Sequence, residues 1–316
     1  MPASYREIDY RIRPGKHAER LMMVDAFRRL RFGSVESYQY VGLGSVYFSD
    51  FSLIHRALGI TKMVSIERNE HDKPRFIDNI PFGCVEMLWG DTAAELQNVD
   101  LGLRSIVWLD FDGRLNRPVL GDVAHVAGRI ASGSVLAVTV QCRFDRIEDE
   151  HGDRSVVALT ESLGAERVPH DLRTRDLQGK GTSRIFRRII LDEVQRALDS
   201  RNAILPPRQR ILARQIFYFR YEDGVQMMTV GLVFHDAGQN GLFDLCGFDD
   251  LDFVRNGDEA FEISIPKLTP NEIKKLEAQM PLKLDTPLAR GSIPERDAAQ
   301  YARLYRYFPN LAFVEP

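Results

Sequence analysis

Apolar runs alternate with amphipathic or polar segments over the first 141 residues of the chain. Five short apolar runs are predicted as strands: SYQYVGL (37–43), KMVSIE (62–67), CVEMLW (84–89), SIVWLDF (105–111) and SVLAVTVQ (134–141). Helices are predicted between them in YFSDFSLIHRALG, HDKPRFIDNI, GDTAAEL and GDVAHVAGRIA, the first of them ending at Gly59. Strands and helices that alternate at this spacing predict an α/β fold with a mostly parallel sheet and right-handed crossovers.

The alternation stops after Gln141. Residues 143–185 are charged and polar and predict a partly mobile insertion, which is either a cover over a site or only a surface loop. A helix is predicted in IFRRIILDEVQRAL, followed by a β-hairpin, RQIFYFRYEDGVQMMTVGLVF, that turns at Asp223-Gly224. We divide the chain into a basic helical segment (1–34), a Rossmann-like domain (35–235, with an insertion at about 143–210) and a C-terminal appendage (236–316).

Residues 16–32 combine helical spacing of apolar side chains with a basic face, which includes Arg20, Arg28, Arg29 and Arg31. This face is either a solvated surface beside a core stripe or a basic wall over a phosphate-bearing substrate. The net charge of −3 and the pI near 6.2 exclude a global attraction to nucleic acid or to an acidic membrane.

The cellular compartment is inferred from cysteine content and from the lack of apolar segments. The three cysteines are far apart and predict neither a disulfide framework nor a metal site. The first residues lack the apolar core of a secretory signal, and no apolar run is long enough to span a bilayer. We therefore expect a cytoplasmic protein without a membrane partner.

The turn YVGLGS is the first candidate site. Gly42, Gly44 and Ser45 follow the first predicted strand and precede a helix, where a ligand binds in open parallel sheets. Glycines there either allow a ligand to approach the backbone or simply form a tight turn. Glu67 ends the second strand, 25 residues after Gly42, where such folds place the acid that binds a ribose diol.

Three further acids follow later strands. Asp91 is predicted either to contact an adenine amino group or to cap the next helix. Asp110 and Asp112 emerge from the most apolar strand, and acids at that edge of a sheet usually face a ligand. The alternative for Asp112 is a turn residue before Gly113.

The order of these pieces resembles the class I S-adenosylmethionine-dependent methyltransferases, within them the O-methyltransferase-like group. VGLGS is similar to the glycine loop, VSIERN to the ribose motif with Glu67 and Arg68, GDTAAEL to the adenine motif with Asp91 and Thr92, and IVWLDFDG to the strand-four motif. The hairpin resembles the two terminal strands of that fold. The resemblance implies a Rossmann-like, doubly wound, seven-stranded sheet with an antiparallel last strand, and S-adenosylmethionine as cofactor, bound by Gly42, Gly44, Ser45, Glu67, Arg68, Asp91, Thr92 and Asp110.

The sequence departs from this family's pattern at three places. Tyr40 occupies the position of the usual acid before the first glycine, and Val46 that of the third glycine, so both change the contacts to the methionine end. Thr139-Val140 occupies the place of the Asp-Asn pair of metal-dependent members. We therefore predict no catalytic metal.

The predicted reaction is methyl transfer to an unidentified acceptor, with a hydroxyl favoured. Asp110 and Asp112 are the predicted bases, and His125, His151 and His170 are weaker candidates. Arg143 is a candidate contact to an acidic substrate.

Three alternatives remain open. One is a tRNA-type nucleic-acid methyltransferase, supported by the basic first segment and by the aromatic residues of YARLYRYF, whose other interpretation is core packing. Another is a non-catalytic protein that binds S-adenosylmethionine, a nucleotide or a partner. A nicotinamide-dependent oxidoreductase is disfavoured, because Tyr47 occupies the last glycine of its G-x-G-x-x-G fingerprint.

Overall fold

A mostly parallel sheet with helices on both faces forms the centre of the protein. The computed structural model describes residues 13–150, 152–283 and 286–309. Ten strands occur in this part: β1 (Gln39–Leu43), β2 (Lys62–Glu67), β3 (Val85–Trp89), β4 (Ser105–Arg114), β5 (Ser134–Gln141), β6 (Glu148–Asp149), β7 (Gly152–Asp153), β8 (Ile211–Glu222), β9 (Gln226–Asp236) and β10 (Phe261–Ile263). All five strands predicted from apolar runs are present. β1, β2, β5 and the first half of β4 are largely buried, whereas β3 lies at the edge of the sheet and is only partly buried.

Ten α-helices accompany these strands in the described residues. They are α1 (Pro14–Phe27), α2 (Ser49–Leu58), α3 (Lys73–Asp78), α4 (Thr92–Glu95), α5 (Arg117–Arg129), α6 (Ser155–Leu163), α7 (Gly181–Asn202), α8 (Asn240–Leu245), α9 (Pro270–Glu277) and α10 (Glu295–Leu304). Local signals set several ends. Gly59 ends α2 in the left-handed conformation with φ 71°, as predicted, and the Asn116 side chain caps α5 by accepting from the Val119 N–H.

The strand order β10-β8-β9-β5-β4-β1-β2-β3 confirms the predicted fold class. Strand β9 is antiparallel to both neighbours, and the other adjacent pairs are parallel. The hairpin β8–β9 turns at Asp223-Gly224 as predicted, with Gly224 at φ 84°. The main sheet has eight strands rather than seven, because β10 pairs with β8 through the register Phe261–Phe219. Three residues are too few for a periodic pattern to reveal such a strand.

The core has one layer on each face of the sheet. The first layer contains the apolar side of α1, Phe51 of α2 and aromatic residues of the sheet such as Tyr40 and Trp108. The second layer packs α5 and α7 against the opposite face. A smaller cluster around Leu276 and Tyr301 joins α9 to α10. The division of the chain into three segments stays a prediction, although α1 and β10 are packed into the central domain's sheet and core.

The charged stretch after β5 contains regular structure. Strands β6 and β7 pair as a short antiparallel ribbon, and α6 follows directly. Leu163 and Val168 are buried within the second core layer, and Leu177 is also buried. These apolar residues are spaced too widely among charges for their burial to be read from the sequence.

Candidate active site

The glycine turn after β1 packs directly against Glu67. The Gly44 N–H donates a hydrogen bond to the Ile66 carbonyl at 2.6 Å, which holds the turn over the end of β2. A Cβ atom at position 44 would lie 2.9 Å from the Glu67 Cβ and 3.1 Å from its Oε2. The turn therefore requires glycine at this position because it passes close to a carboxylate. The structure brings the predicted glycine turn and the predicted ribose acid together.

The rest of the turn is tightly packed. The Ser45 hydroxyl accepts from the Tyr47 N–H at 3.3 Å, and Val46 is buried in the first core layer. Phe48, just before α2, has a φ of 44°, a left-handed conformation that is rare for an aromatic residue. Backbone strain of this kind persists only where the surrounding packing imposes it, and it is concentrated at functional sites.

An acid reaches the position beside the first glycine from helix α2. The Tyr40 hydroxyl donates to Asp50 Oδ2 at 2.7 Å, and it lies 3.0 Å from the place where a Cβ of Gly42 would stand. Burial raises the pKa of Asp50, while the nearby Arg20 lowers it. The departure at Tyr40 is therefore accompanied by a carboxylate from ten residues further along the chain. Sequence analysis missed Asp50 because its role depends on how α2 packs on β1.

Glu67 is half-buried at the end of β2. Its Oε1 accepts from the Asn69 N–H at 2.7 Å. Burial raises the pKa of Glu67, and the negative charge of Asp112 raises it further, while Arg68 lowers it. The Arg68 side chain itself is exposed. A carboxylate anchored through one oxygen is suited to accept a hydrogen bond from a ligand hydroxyl at the other.

Asp91 begins helix α4 without capping it through its side chain. Its backbone carbonyl accepts from the N–H groups of Ala94 and Glu95 at 3.0 Å, and its side chain makes no capping hydrogen bond. The side chain is exposed, and Thr92 beside it is half-buried. Of the two roles considered for Asp91, the helix-capping role is therefore wrong, and contact with a ligand stays a prediction.

Asp110 is bound to a lysine that sequence analysis missed. Lys16 Nζ of α1 lies 2.6 Å from Asp110 Oδ1 and 2.9 Å from Glu19 Oε2. Lys16 and Glu19 are 1% and 0% exposed, whereas Asp110 is 29% exposed. The Gly15 and Lys16 N–H groups donate to the carboxylate of Asp223, which fixes the first turn of α1. The only signal in the sequence was a charged pair, Lys16 and Glu19, on the apolar side of an amphipathic helix.

Asp112 lies apart from Asp110 although both belong to β4. The pairing register of β4 with β5 shifts between Asp110 and Arg114, and the side chain of Asp112 is exposed. Its carbonyl accepts from the Gln141 side-chain amide. Asp112 influences Glu67 electrostatically, whereas Asp110 influences Tyr40 and Asp50. The two predicted bases therefore face different neighbours.

The weaker candidates lie in other surroundings. His125 is half-buried on α5 near the Leu96 carbonyl, and burial lowers its pKa. His170 is exposed in the insertion, and His151 lies outside the described residues. Arg143 forms an exposed ion pair with Asp145 at 3.0 Å.

The described residues form no recognisable metal site. Within residues 13–150, 152–283 and 286–309, no group of three or more histidine, cysteine or acidic side chains is arranged to hold a metal ion. The absence of a catalytic metal stays a prediction.

A cavity of about 660 Å³ lies away from all the predicted site residues. Its walls are α7, the beginning of β8 and the segment 243–256. Because β8 runs parallel to β5, the beginning of β8 is at the sheet edge opposite the glycine turn. The glycine turn stays the predicted site, since the carboxyl ends of the strands are where open parallel sheets bind ligands.

Comparison with known protein families decides the kind of enzyme. A family model described as "Putative O-methyltransferase" matches residues 8–316. The chain belongs to this family. The protein is therefore a methyltransferase, and the predicted resemblance to the S-adenosylmethionine-dependent methyltransferases is confirmed.

Solved structures of methyltransferases resemble the chain weakly. An rRNA methylase from Streptococcus thermophilus has a TM-score of 0.35 at 10% identity, and the alignment covers 68% of this chain and 95% of the methylase chain. An O-methyltransferase from Bacillus cereus, in complex with SAH (S-adenosylhomocysteine), has a TM-score of 0.37 at 13% identity. The alignment covers 70% of this chain and 81% of the Bacillus chain. An O-methyltransferase family protein from Burkholderia thailandensis has a TM-score of 0.31 at 11% identity. The alignment covers 69% of this chain and 57% of the Burkholderia chain.

Neither a curated relative nor a membrane-crossing helix in the part of the chain that the structure describes adds to this identification. A search of curated proteins found no match to the sequence. Among the helices of the described residues, none combines the length and the apolar character that a membrane crossing needs.

Proposed function

We propose that the protein transfers a methyl group from S-adenosylmethionine to a hydroxyl group of an acceptor that is not yet identified. The observation that carries the proposal is the contact between the glycine turn and Glu67 at the carboxyl ends of β1 and β2. A turn with two glycines beside a half-buried carboxylate fits a nucleoside whose ribose hydroxyls donate to the acid. Family membership supports methyl transfer as the reaction.

The surrounding residues are assigned to parts of the donor. Gly42, Gly44 and Ser45 would line its methionine portion, and Asp50 would accept from its amino group in place of the acid missing at Tyr40. The adenine would lie toward Asp91 and Thr92, at the end of β3. The assignments rest on where these residues lie in the chain: Gly42, Gly44 and Ser45 are at the end of β1, and Asp91 and Thr92 follow β3.

Methyl transfer from a sulfonium is a direct displacement. A bond forms between the acceptor oxygen and the methyl carbon, the bond from carbon to sulfur breaks, and the hydroxyl proton leaves to a base. We propose Asp110 as that base, because its carboxylate on β4 is partly exposed and is oriented by Lys16. Positioning of donor and acceptor in line would supply much of the rate. Asp112 is the weaker candidate, since its side chain is exposed and faces Glu67 rather than this cluster.

Calorimetric titration tests the donor site. Wild-type protein should bind S-adenosylmethionine and S-adenosylhomocysteine with micromolar affinity, and NAD and ATP far more weakly. Glu67→Ala should weaken both favoured ligands by about tenfold or more, since a charged hydrogen bond contributes about 1.5 to 3 kcal/mol. Glu70→Ala is the matched control, because Glu70 is exposed three residues further on. Equal affinities in the wild type and the Glu67 variant would show that the pocket is placed wrongly.

The structure gives less support to a nucleic-acid substrate than the sequence did. On the basic side of α1, Arg28 pairs with Asp25 and Arg29 with Asp250. In YARLYRYF, Tyr301 is buried and packs edge-on against Phe308. These residues are engaged within the protein, so we do not propose a second function. Salt-dependent binding of tRNA or DNA would contradict this interpretation.

A further inference from the structure

Lys16, Glu19 and Asp110 form a charged cluster, the Lys16 cluster, between α1 and β4. One lysine lies within ion-pair distance of two carboxylates. Lysine and glutamate are almost never fully buried unless they are paired. The cluster holds one positive and two negative charges, so its net charge is −1, and Asp110 is its partly exposed member.

Neighbouring polar groups hold the cluster in place. The Thr229 hydroxyl donates to Glu19, and it shares a hydrogen bond of 2.8 Å with Thr139, which accepts from the Trp108 indole at 2.9 Å. Lys16 Nζ also lies 4.3 Å from the centre of the Trp108 ring. A buried network with these contacts is rigid, and its charge acts through a medium of lower dielectric constant than water.

The sheet register places Asp110 beside the proposed donor site. Gly42 of β1 is the register partner of Trp108 of β4. Asp110 lies two residues further along β4, and Gly44 lies two residues after Gly42, just past the end of β1; adjacent strands are spaced about 4.8 Å apart. A donor held on the glycine turn therefore lies within about 10 Å of the Asp110 carboxylate.

We propose that the Lys16 cluster makes the site select the positively charged methyl donor over its neutral demethylated product. This inference rests on the proposed function. S-adenosylmethionine and S-adenosylhomocysteine differ by one methyl group and by the positive charge on sulfur. One net negative charge about 10 Å away, in a medium of effective dielectric constant about 20, favours the charged ligand by about tenfold. The cluster would thereby help the product to leave after transfer.

The test is calorimetric measurement of both affinities and of their ratio in charge variants of the full chain. Lys16→Met removes the only positive charge of the cluster and should raise the preference for S-adenosylmethionine, by up to about tenfold when both carboxylates stay ionised. Glu19→Gln and Asp110→Asn each bring the net charge of the cluster to zero and should lower the preference by about the same factor. The double variant Lys16→Met with Glu19→Gln returns the cluster to −1 and should restore the wild-type ratio.

A matched control removes a charge at the C-terminal end of α1, away from the Lys16 cluster. Arg28→Gln deletes one positive charge from an exposed pair on α1 and should leave the ratio unchanged. If Lys16→Met does not fold, the decreases expected for Glu19→Gln and Asp110→Asn still test the proposal.

The outcomes separate the two proposals. A wild type that binds neither ligand would overturn the proposed function and this inference with it. The second outcome is a wild type that binds both ligands, with an affinity ratio that stays constant, or moves in the same direction, in Lys16→Met and Glu19→Gln. It would overturn the role of the cluster alone. Opposite changes of the ratio in these two variants indicate charge, because loss of packing cannot produce opposite signs.

Discussion

Substitution of Gly44 by alanine is the most direct test of the geometry at the glycine turn. The added methyl group would lie 2.9 Å from the Glu67 Cβ, 3.1 Å from its Oε2 and 3.2 Å from Ser65 Oγ. Because two of these atoms belong to Glu67, the turn and the acid must move apart. Forcing a methyl group into a packed site lowers the free energy of unfolding by about 1 to 3 kcal/mol.

The same displacement should impair donor binding. If Glu67 accepts a ribose hydroxyl, moving it weakens a charged hydrogen bond that contributes about 1.5 to 3 kcal/mol. The dissociation constant of S-adenosylmethionine should then rise about tenfold to a hundredfold in Gly44→Ala. Calorimetry measures the affinity, and chemical denaturation measures the stability.

Gly83→Ala is the control for this experiment. A Cβ at position 83 meets no atom within 4 Å, so both affinity and stability should stay near the wild-type values. Wild-type affinity in Gly44→Ala would refute the conclusion that the turn and Glu67 act together on the donor.

Four further predictions concern three acids and Tyr40, the hydrogen-bond donor to one of them. Burial, and then the charge of Asp91, raises the pKa of Asp122 to about 6 from its usual 3.8. The folded protein therefore holds this proton more tightly than the unfolded chain does, and the stabilisation is lost as the pH rises from about 4 through about 6. Asp122→Asn should thus be more stable than the wild type by about 1 to 2 kcal/mol near neutral pH but not near pH 4. Chemical denaturation at both pH values measures this difference in stability. The same difference at both pH values would contradict the prediction. Asp50→Asn should weaken binding of S-adenosylmethionine about tenfold but leave 5′-methylthioadenosine, which lacks the amino acid portion, unaffected; equal losses for the two ligands in calorimetry would argue against a contact with the amino group. Tyr40→Phe should show the same selectivity with a smaller loss, because it removes only the hydrogen bond that orients Asp50. Asp223→Ala removes the acceptor of two N–H groups at the start of α1 and should lower the free energy of unfolding by about 1 to 2 kcal/mol in urea denaturation, and an unchanged midpoint would contradict the capping role.

Local patterns predicted the elements of the sheet well. Each parallel strand of the first half is an apolar run, since a strand covered on both faces excludes polar side chains almost everywhere except at its ends. The same reasoning placed Glu67 at the end of β2 and Asp91 after β3, because a sheet's carboxyl edge is the first place where an acid can be solvated. It also placed Asp110 and Asp112 after the fourth strand, whereas β4 continues to Arg114 and contains both acids. The turn at Asp223-Gly224 was predictable because its backbone conformation favours glycine.

The sites that need two distant segments were not predictable in this way. Asp50 reaches the glycine turn only because α2 packs on β1, and Lys16 meets Asp110 only because α1 lies against the sheet. In a single sequence these residues are an acid in the first turn of a helix and a lysine in a basic segment, both of which are usually solvated. Strand β10 was missed for a related reason, since three residues acquire strand geometry only from the edge of β8.

The order of strands and helices, and the carboxyl edge as the place of the site, followed from periodicity along the chain, because burial on one or two faces imposes a local pattern. The contacts that give the site its chemistry could not be predicted from this periodicity. Whether a glycine is needed for a close approach, whether an acid caps a helix, and which charge neutralises another are set by atoms that are far apart in sequence. These contacts were decided when α1 and α2 packed onto the sheet.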